Sequence, residues 1–109
     1  MEHLEFDFPA SADSSRQTPA RRDSVLVGVV SSGNLEVLVE QASLAGGCRV
    51  IVDTSIRGYG AIWQAVLADF VKRYRPRDVQ VSINDAGASP AVVSLRLDQA
   101  YEDFQGDAA

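Results

Sequence analysis

Cys48 is the only thiol in the chain and His3 its only imidazole. A single cysteine supports neither an internal disulfide nor a cysteine cluster around a metal. Cys48 also falls in the run Cys48-Arg49-Val50-Ile51-Val52, where strand alternation puts it on one face with Val50 and Val52. There it reads as a small buried hydrophobe rather than a nucleophile. His3 stands near the N-terminus, and no serine or cysteine is placed to pair with it as nucleophile and base. Asp53 and Asp85 are lone carboxylates. The side chain with the best setting for chemistry is a hydroxyl. Ser31-Ser32-Gly33-Asn34 separates two apolar runs, and a Gly-Asn pair there is a hairpin signal because both residues tolerate positive φ. Ser32 is expected to project from the tip of that turn, while Ser31 is expected to remain in the strand ladder. On its residues alone, Ser32 reads as an ordinary turn serine.

The elements that would position this turn are legible from patterning. Residues 25–30 and 35–40 are rich in Val and Leu and read as strands flanking it. Residues 4–8, Leu-Glu-Phe-Asp-Phe, alternate at period two and permit a further N-terminal strand. From Pro9 to Ser24 no large apolar residue occurs, the texture of a flexible linker or long loop. Ala45-Gly46-Gly47 predicts a turn, and residues 48–54 a third core strand. Tyr59, Ile62, Trp63, Val66, Leu67, Phe70, Val71 and Tyr74 recur at helical spacing, so they predict a helix with these residues as its packed face, the alternative being that Trp63 and the other aromatics of the stripe line a pocket. That helix ends before Pro76, with Lys72 and Arg73 complementing its dipole. Val79, Val81 and Ile83 alternate with Gln80, Ser82 and Asn84, as in a strand with one solvated face. Residues 84–88 turn the chain, and Ser89-Pro90 opens a second helix with a serine cap. Val93, Leu97, Ala100, Tyr101 and Phe104 form its stripe, although residues 92–97 also pass as a strand.

The expected fold is therefore α+β. It is a small two-layer domain with a mainly antiparallel sheet and two helices on one face, in the order β-β-β-α-β-α plus the possible extra strand. The expected organisation is an N-terminal extension and linker over 1–24, one domain over 25–105, and a frayed tail over 106–109. A length of 109 residues suits a single domain, and 46% apolar content suffices for a core. The formal charge of -5 is the wrong sign for a free-standing nucleic-acid binder. No apolar run approaches the roughly 20 residues that span a membrane. The N-terminus lacks the basic and apolar regions of a signal peptide, so the cytoplasm is expected.

The run Val27-Gly28-Val29-Val30-Ser31-Ser32-Gly33-Asn34-Leu35-Glu36-Val37 resembles the modification site of two related carrier families, those of malonate decarboxylase and of citrate lyase. Val52-Asp53-Thr54-Ser55, the segment from Val79 to Ala88, and Leu95-Arg96-Leu97 resemble them too. The opening ten residues, from Met1 to Ala10, are similar to the malonate decarboxylase δ subunit rather than the citrate lyase γ subunit. Asn34 departs from the aspartate common in these families and removes a charge beside the serine. The resemblance implies a phosphoribosyl-dephospho-coenzyme A joined to Ser32 through a phosphodiester. Its thiol would carry acetyl and malonyl groups. The implied partners are an acyl-transferase subunit (α), decarboxylase subunits (β and γ), a malonyl transferase and a cofactor-attaching transferase. The chain itself would be non-catalytic. Asp23-Ser24-Val25 mimics the Asp-Ser-Leu motif of ordinary acyl carrier proteins, but it precedes a β run where they have a helix. The competing classes are a ferredoxin-like α+β binding module without a covalent group, and a small enzyme using Asp53 or Asp85.

Overall fold

The computed structural model describes the backbone of residues 1–9, 24–29 and 32–105, and the side chains of residues 1–9 and 35–105. Most of the expected linker, residues 10–23, and the expected tail, residues 106–109, lie outside the described residues. In chain order the elements are β1 (Glu2–Phe8), β2 (Ser24–Val29), β3 (Ser32–Gln41), β4 (Cys48–Thr54), α1 (Gly60–Tyr74), β5 (Val79–Asp85) and α2 (Pro90–Phe104). The strands form one five-stranded sheet in the order β1-β4-β5-β3-β2. The fold is α+β as expected, and the possible N-terminal strand is present. The sheet is mainly antiparallel, with β4 and β5 as its one parallel pair. Parallel neighbours need a long crossover, and α1 supplies it.

One face of the sheet carries the core. Leu35, Val37 and Val39 of β3, Cys48, Val50 and Val52 of β4, and Val79, Val81 and Ile83 of β5 are all buried. Leu4, Phe6 and Phe8 of β1 flank them. From α2, Val93, Leu97, Ala100, Tyr101 and Phe104 are buried against this face, the whole of the expected stripe. The ambiguous 92–97 segment is helical, begun by Ser89, whose Oγ accepts from Val92 N–H at 3.3 Å. Tyr101 meets Phe70 edge-on at 5.6 Å and Tyr74 at 5.2 Å, which locks the helices together. Arg73 adds an exposed tie, donating to Asp69 at 2.8 Å on its own helix and to Asp98 at 3.0 Å on the other.

The α1 stripe differs from expectation at its start. Trp63, Leu67 and Phe70 are buried, but Tyr59 is 48% and Ile62 is 44% exposed. Tyr59 is the N-cap and lies outside the helical turns, so it does not continue the stripe. Ile62, one residue before Trp63, is turned about 100° from it by the 3.6-residue repeat. At its other end the helix closes on Arg75 in the left-handed region, with its N–H bonded to the Val71 carbonyl at 2.7 Å.

The opposite face is mostly charged or polar, with Leu38 and Ile51 half-buried on it. Arg49 donates to Asp7 at 2.9 Å. His3 bridges Asp53 at 2.7 Å and Glu5 at 2.9 Å, tying the edge strand β1 to β4. At the far end, Asp78 Oδ1 accepts from Leu44 N–H at 3.0 Å and Gly46 N–H at 2.9 Å. Those donors hold its carboxyl below the usual range. The same turn requires Gly47, where a Cβ would lie 2.8 Å from the Phe8 carbonyl oxygen.

Two measurements check this packing. Leu97 is fully buried and Leu95 is 55% exposed. Leu97→Ala should cost about 2–5 kcal/mol in denaturant unfolding, and Leu95→Ala about 0.5 kcal/mol or less; equal costs would mean that α2 is rotated. His3 should titrate above 6.5, because the hydrogen bonds its ring donates to Glu5 and then Asp53 favour its charged form. A raised folded value means that its stabilisation is full below the unfolded value and is lost as pH rises through the folded one. In an NMR titration, Asp53→Asn should lower the midpoint, and a wild-type midpoint at or below 6.5 would rule out the bridge.

Candidate functional site

The hairpin that carries Ser32 lies at an edge of the sheet. Val27 pairs with Val37, but the next pair is Val29 with Ser32. Between those pairs β2 has one residue, Gly28, and β3 has four, Gly33 to Glu36. Only residues 30 and 31, outside the described residues, connect the strands. Strand β3 thus begins at Ser32, three positions before the expected start at Leu35. Ser32 is the first residue of the strand, not the middle of a four-residue turn. The physical reason is the register slip. Gly33 and Asn34, expected in the turn, are taken up by a bulge, where a glycine eases the bend.

Ser32 also overhangs the body of the sheet. The pairing of β3 with β5 ends at Leu35 opposite Asp85, so residues 32–34 run past the end of β5. Arg96 anchors the base of this overhang, donating from a guanidinium nitrogen to the Leu35 carbonyl at 3.3 Å.

Beside the overhang, the two parallel strands end together at Thr54 and Asp85. Both side chains are buried and mutually satisfied. Thr54 Oγ1 donates to Asp85 Oδ2 at 2.8 Å and accepts from Ile56 N–H at 3.1 Å. Asp85 Oδ1 accepts from Ala88 N–H at 2.9 Å, holding the turn in which Gly87 has φ +111°. Both helices begin from the loops that leave these strand ends, and a pocket of about 440 Å³ lies between them. Thr54 and Asp85 contribute to its lining, Trp63, Val66 and Val93 form apolar walls, and Ile56, Tyr59 and Ile62 also line it. The exposure of these last three residues, 41–48%, marks them as its rim.

Of the other candidates, His3, Asp53 and Asp85 lie near this end and Cys48 does not. Cys48 pairs with Phe8 and Val79 at the opposite end of the sheet and is 2% exposed. Burial pushes its thiol up to about 12, so it is unsuited to nucleophilic attack near neutral pH. Asp53 is engaged by His3, and each Asp85 oxygen accepts one hydrogen bond, from Thr54 or from Ala88, so both carboxylates have structural roles. The pocket takes up Tyr59 and Trp63, two aromatics of the α1 stripe for which lining a pocket was the alternative to packing, but its place at the ends of β4 and β5 was not foreseen.

Among the described residues the thiol is buried and Asp53 and Asp85 are engaged, which leaves the overhanging hairpin and the pocket beside it as the features of this end. Comparison with known proteins gives the class. Residues 22–104 match the family model described as the malonate decarboxylase delta subunit (MdcD). The malonate decarboxylase acyl carrier protein of Xanthomonas euvesicatoria pv. vesicatoria (strain 85-10) is 56% identical over 97% of each chain. That of Burkholderia cepacia is 57% identical over 92% of this chain and 87% of its own. A chain in the crystal structure of a Pseudomonas malonate decarboxylase hetero-tetramer in complex with malonate superposes with a TM-score of 0.78 at 38% identity. That match covers 95% of this chain and 99% of the other. The chain belongs to the malonate decarboxylase delta subunit family, the acyl carrier proteins of that enzyme. It is a carrier, not a catalytic subunit. Among the described residues, no helix is long and apolar enough to cross a membrane.

The placement of Cys48 has a direct chemical check. The native thiol should resist a thiol-specific disulfide reagent at pH 8 and react fully once the chain is unfolded in denaturant. Rapid reaction of the native protein would mean that the β4 end is open.

Proposed function

We propose that this chain carries phosphoribosyl-dephospho-coenzyme A on Ser32 through a phosphodiester, as the acyl carrier subunit of a malonate decarboxylase. The observation that carries this reading is the backbone position of Ser32. It opens β3 beside the edge strand, past the last β3–β5 pair. An attaching enzyme must enclose the serine, and a residue overhanging the sheet leaves space for that. The family match spans this segment. The local residues fit a tethered group: Gly28 and Gly33 bring no side-chain bulk to the bulge, and Arg96 holds its base. When attached, the group supplies a thiol on a long arm that holds acyl groups as thioesters. Cys48, buried at the other end, is not an alternative thiol.

The same reading names the partners. They are an acyl-transferase subunit (α), decarboxylase subunits (β and γ), a malonyl transferase and a cofactor-attaching transferase, in the cytoplasm. Its support is the likeness to a chain found in a malonate decarboxylase hetero-tetramer. Tethering the thioester raises its effective concentration at those partners' sites without any new contact.

Intact mass and fragmentation that separates Ser31 from Ser32 test the proposal on protein co-expressed with active attachment enzymes. The expected result is one adduct of cofactor mass on Ser32. Ser32→Ala should abolish it while changing stability by only about 0.5 kcal/mol or less. An adduct on Ser31, or one retained in the variant, would overturn the assignment.

A further inference from the structure

The geometry points to the pocket between the starts of α1 and α2 as a resting seat for the thiol-bearing, amide-containing arm of this chain's own prosthetic group. This inference rests on Ser32 being the attachment site. Its first support is position. Leu35, three residues from Ser32, is the ladder partner of Asp85, which lines the pocket. Three residues of strand span at most about 10 Å, and neighbouring strands lie about 4.8 Å apart. The pocket is therefore close enough for a long tethered arm to enter.

Its second support is chemistry. A volume of about 440 Å³ falls in the roughly 300–1,000 Å³ range of small-molecule sites, which are mostly apolar with a few placed polar groups. Here the apolar walls are Trp63, Val66 and Val93, and the polar pair is Thr54 and Asp85. A carboxylate has about four acceptor positions, and the Thr54 hydroxyl and Ala88 N–H supply one donor to each Asp85 oxygen. Further acceptor capacity suits an amide N–H of the arm. The third support is the rim. Ile56, Tyr59 and Ile62 stay exposed, two of them against the helical pattern that would have packed them, and an apolar arm laid across them would remove that surface from water.

Isoleucine methyl NMR on the isolated chain, unmodified against loaded with the free-thiol cofactor, tests the seat with no partner subunit present. The chain has four isoleucines, at 51, 56, 62 and 83. Loading should shift the Ile56 and Ile62 methyls and the indole N–H of Trp63, the only tryptophan. The Ile51 methyl, on the polar sheet face, should stay in place. Ile62→Glu, at a 44% exposed position, should keep the adduct but abolish the loading-dependent shift at Ile56. Unchanged pocket signals with the adduct mapped to Ser32 would overturn the seat alone and leave the rim to a partner protein. A persistent Ile56 shift in Ile62→Glu would also overturn it. An adduct mapped to another residue would overturn the Ser32 assignment and the seat with it.

Discussion

Strand β5 is hydrogen-bonded along its length on both sides, parallel to β4 and antiparallel to β3. Its helix-facing residues Val79, Val81 and Ile83 are at most 2% exposed. A slip of one residue would turn these three into the polar face and bring Gln80, Ser82 and Asn84 into the core. It would also part Asp85 from Thr54, the contact that fixes where both parallel strands stop. The loops after those stops lead into the two helices, so the register of one strand sets the helix starts and the pocket between them. It also sets how far β3 extends beyond its neighbour, and hence how far the hairpin overhangs.

Much of this arrangement was readable because burial imposes period. The α2 stripe and the β5 alternation came directly from residue spacing, and Cys48 followed from sharing a face with Val50 and Val52. What failed to come through was local. Tyr59 and Ile62 fit the α1 pattern by type and spacing, yet a cap residue and a flank residue escape the core because a helix buries only an arc of its surface. The turn at Ser32 was misplaced because Gly-Asn is equally at home in a bulge. Only the pairing of Val29 with Ser32 distinguishes the two uses. The pocket depends on where two distant strands end relative to each other, which no local pattern records.

The division of labour in this domain follows from the same geometry. Among the described residues, the side chains with intrinsic reactivity that the sequence singles out are buried or engaged: Cys48 in the core, Asp85 on Thr54, His3 between two carboxylates. A domain built this way keeps its stability in the helix–sheet layer, and changes in the overhang at residues 32–34 therefore have little purchase on folding.

The pairing of Glu2 with Thr54 brings the N-terminus of the chain to the overhanging end. Helix α2 leaves that end at Pro90 and runs 15 residues away, about 22 Å at 1.5 Å per residue. The two termini are thus unequal as places for fusion. A purification tag or fluorescent protein joined ahead of Met1 would crowd the end from which the Ser32 segment overhangs. One joined after the C-terminal helix would start from the opposite pole of the domain.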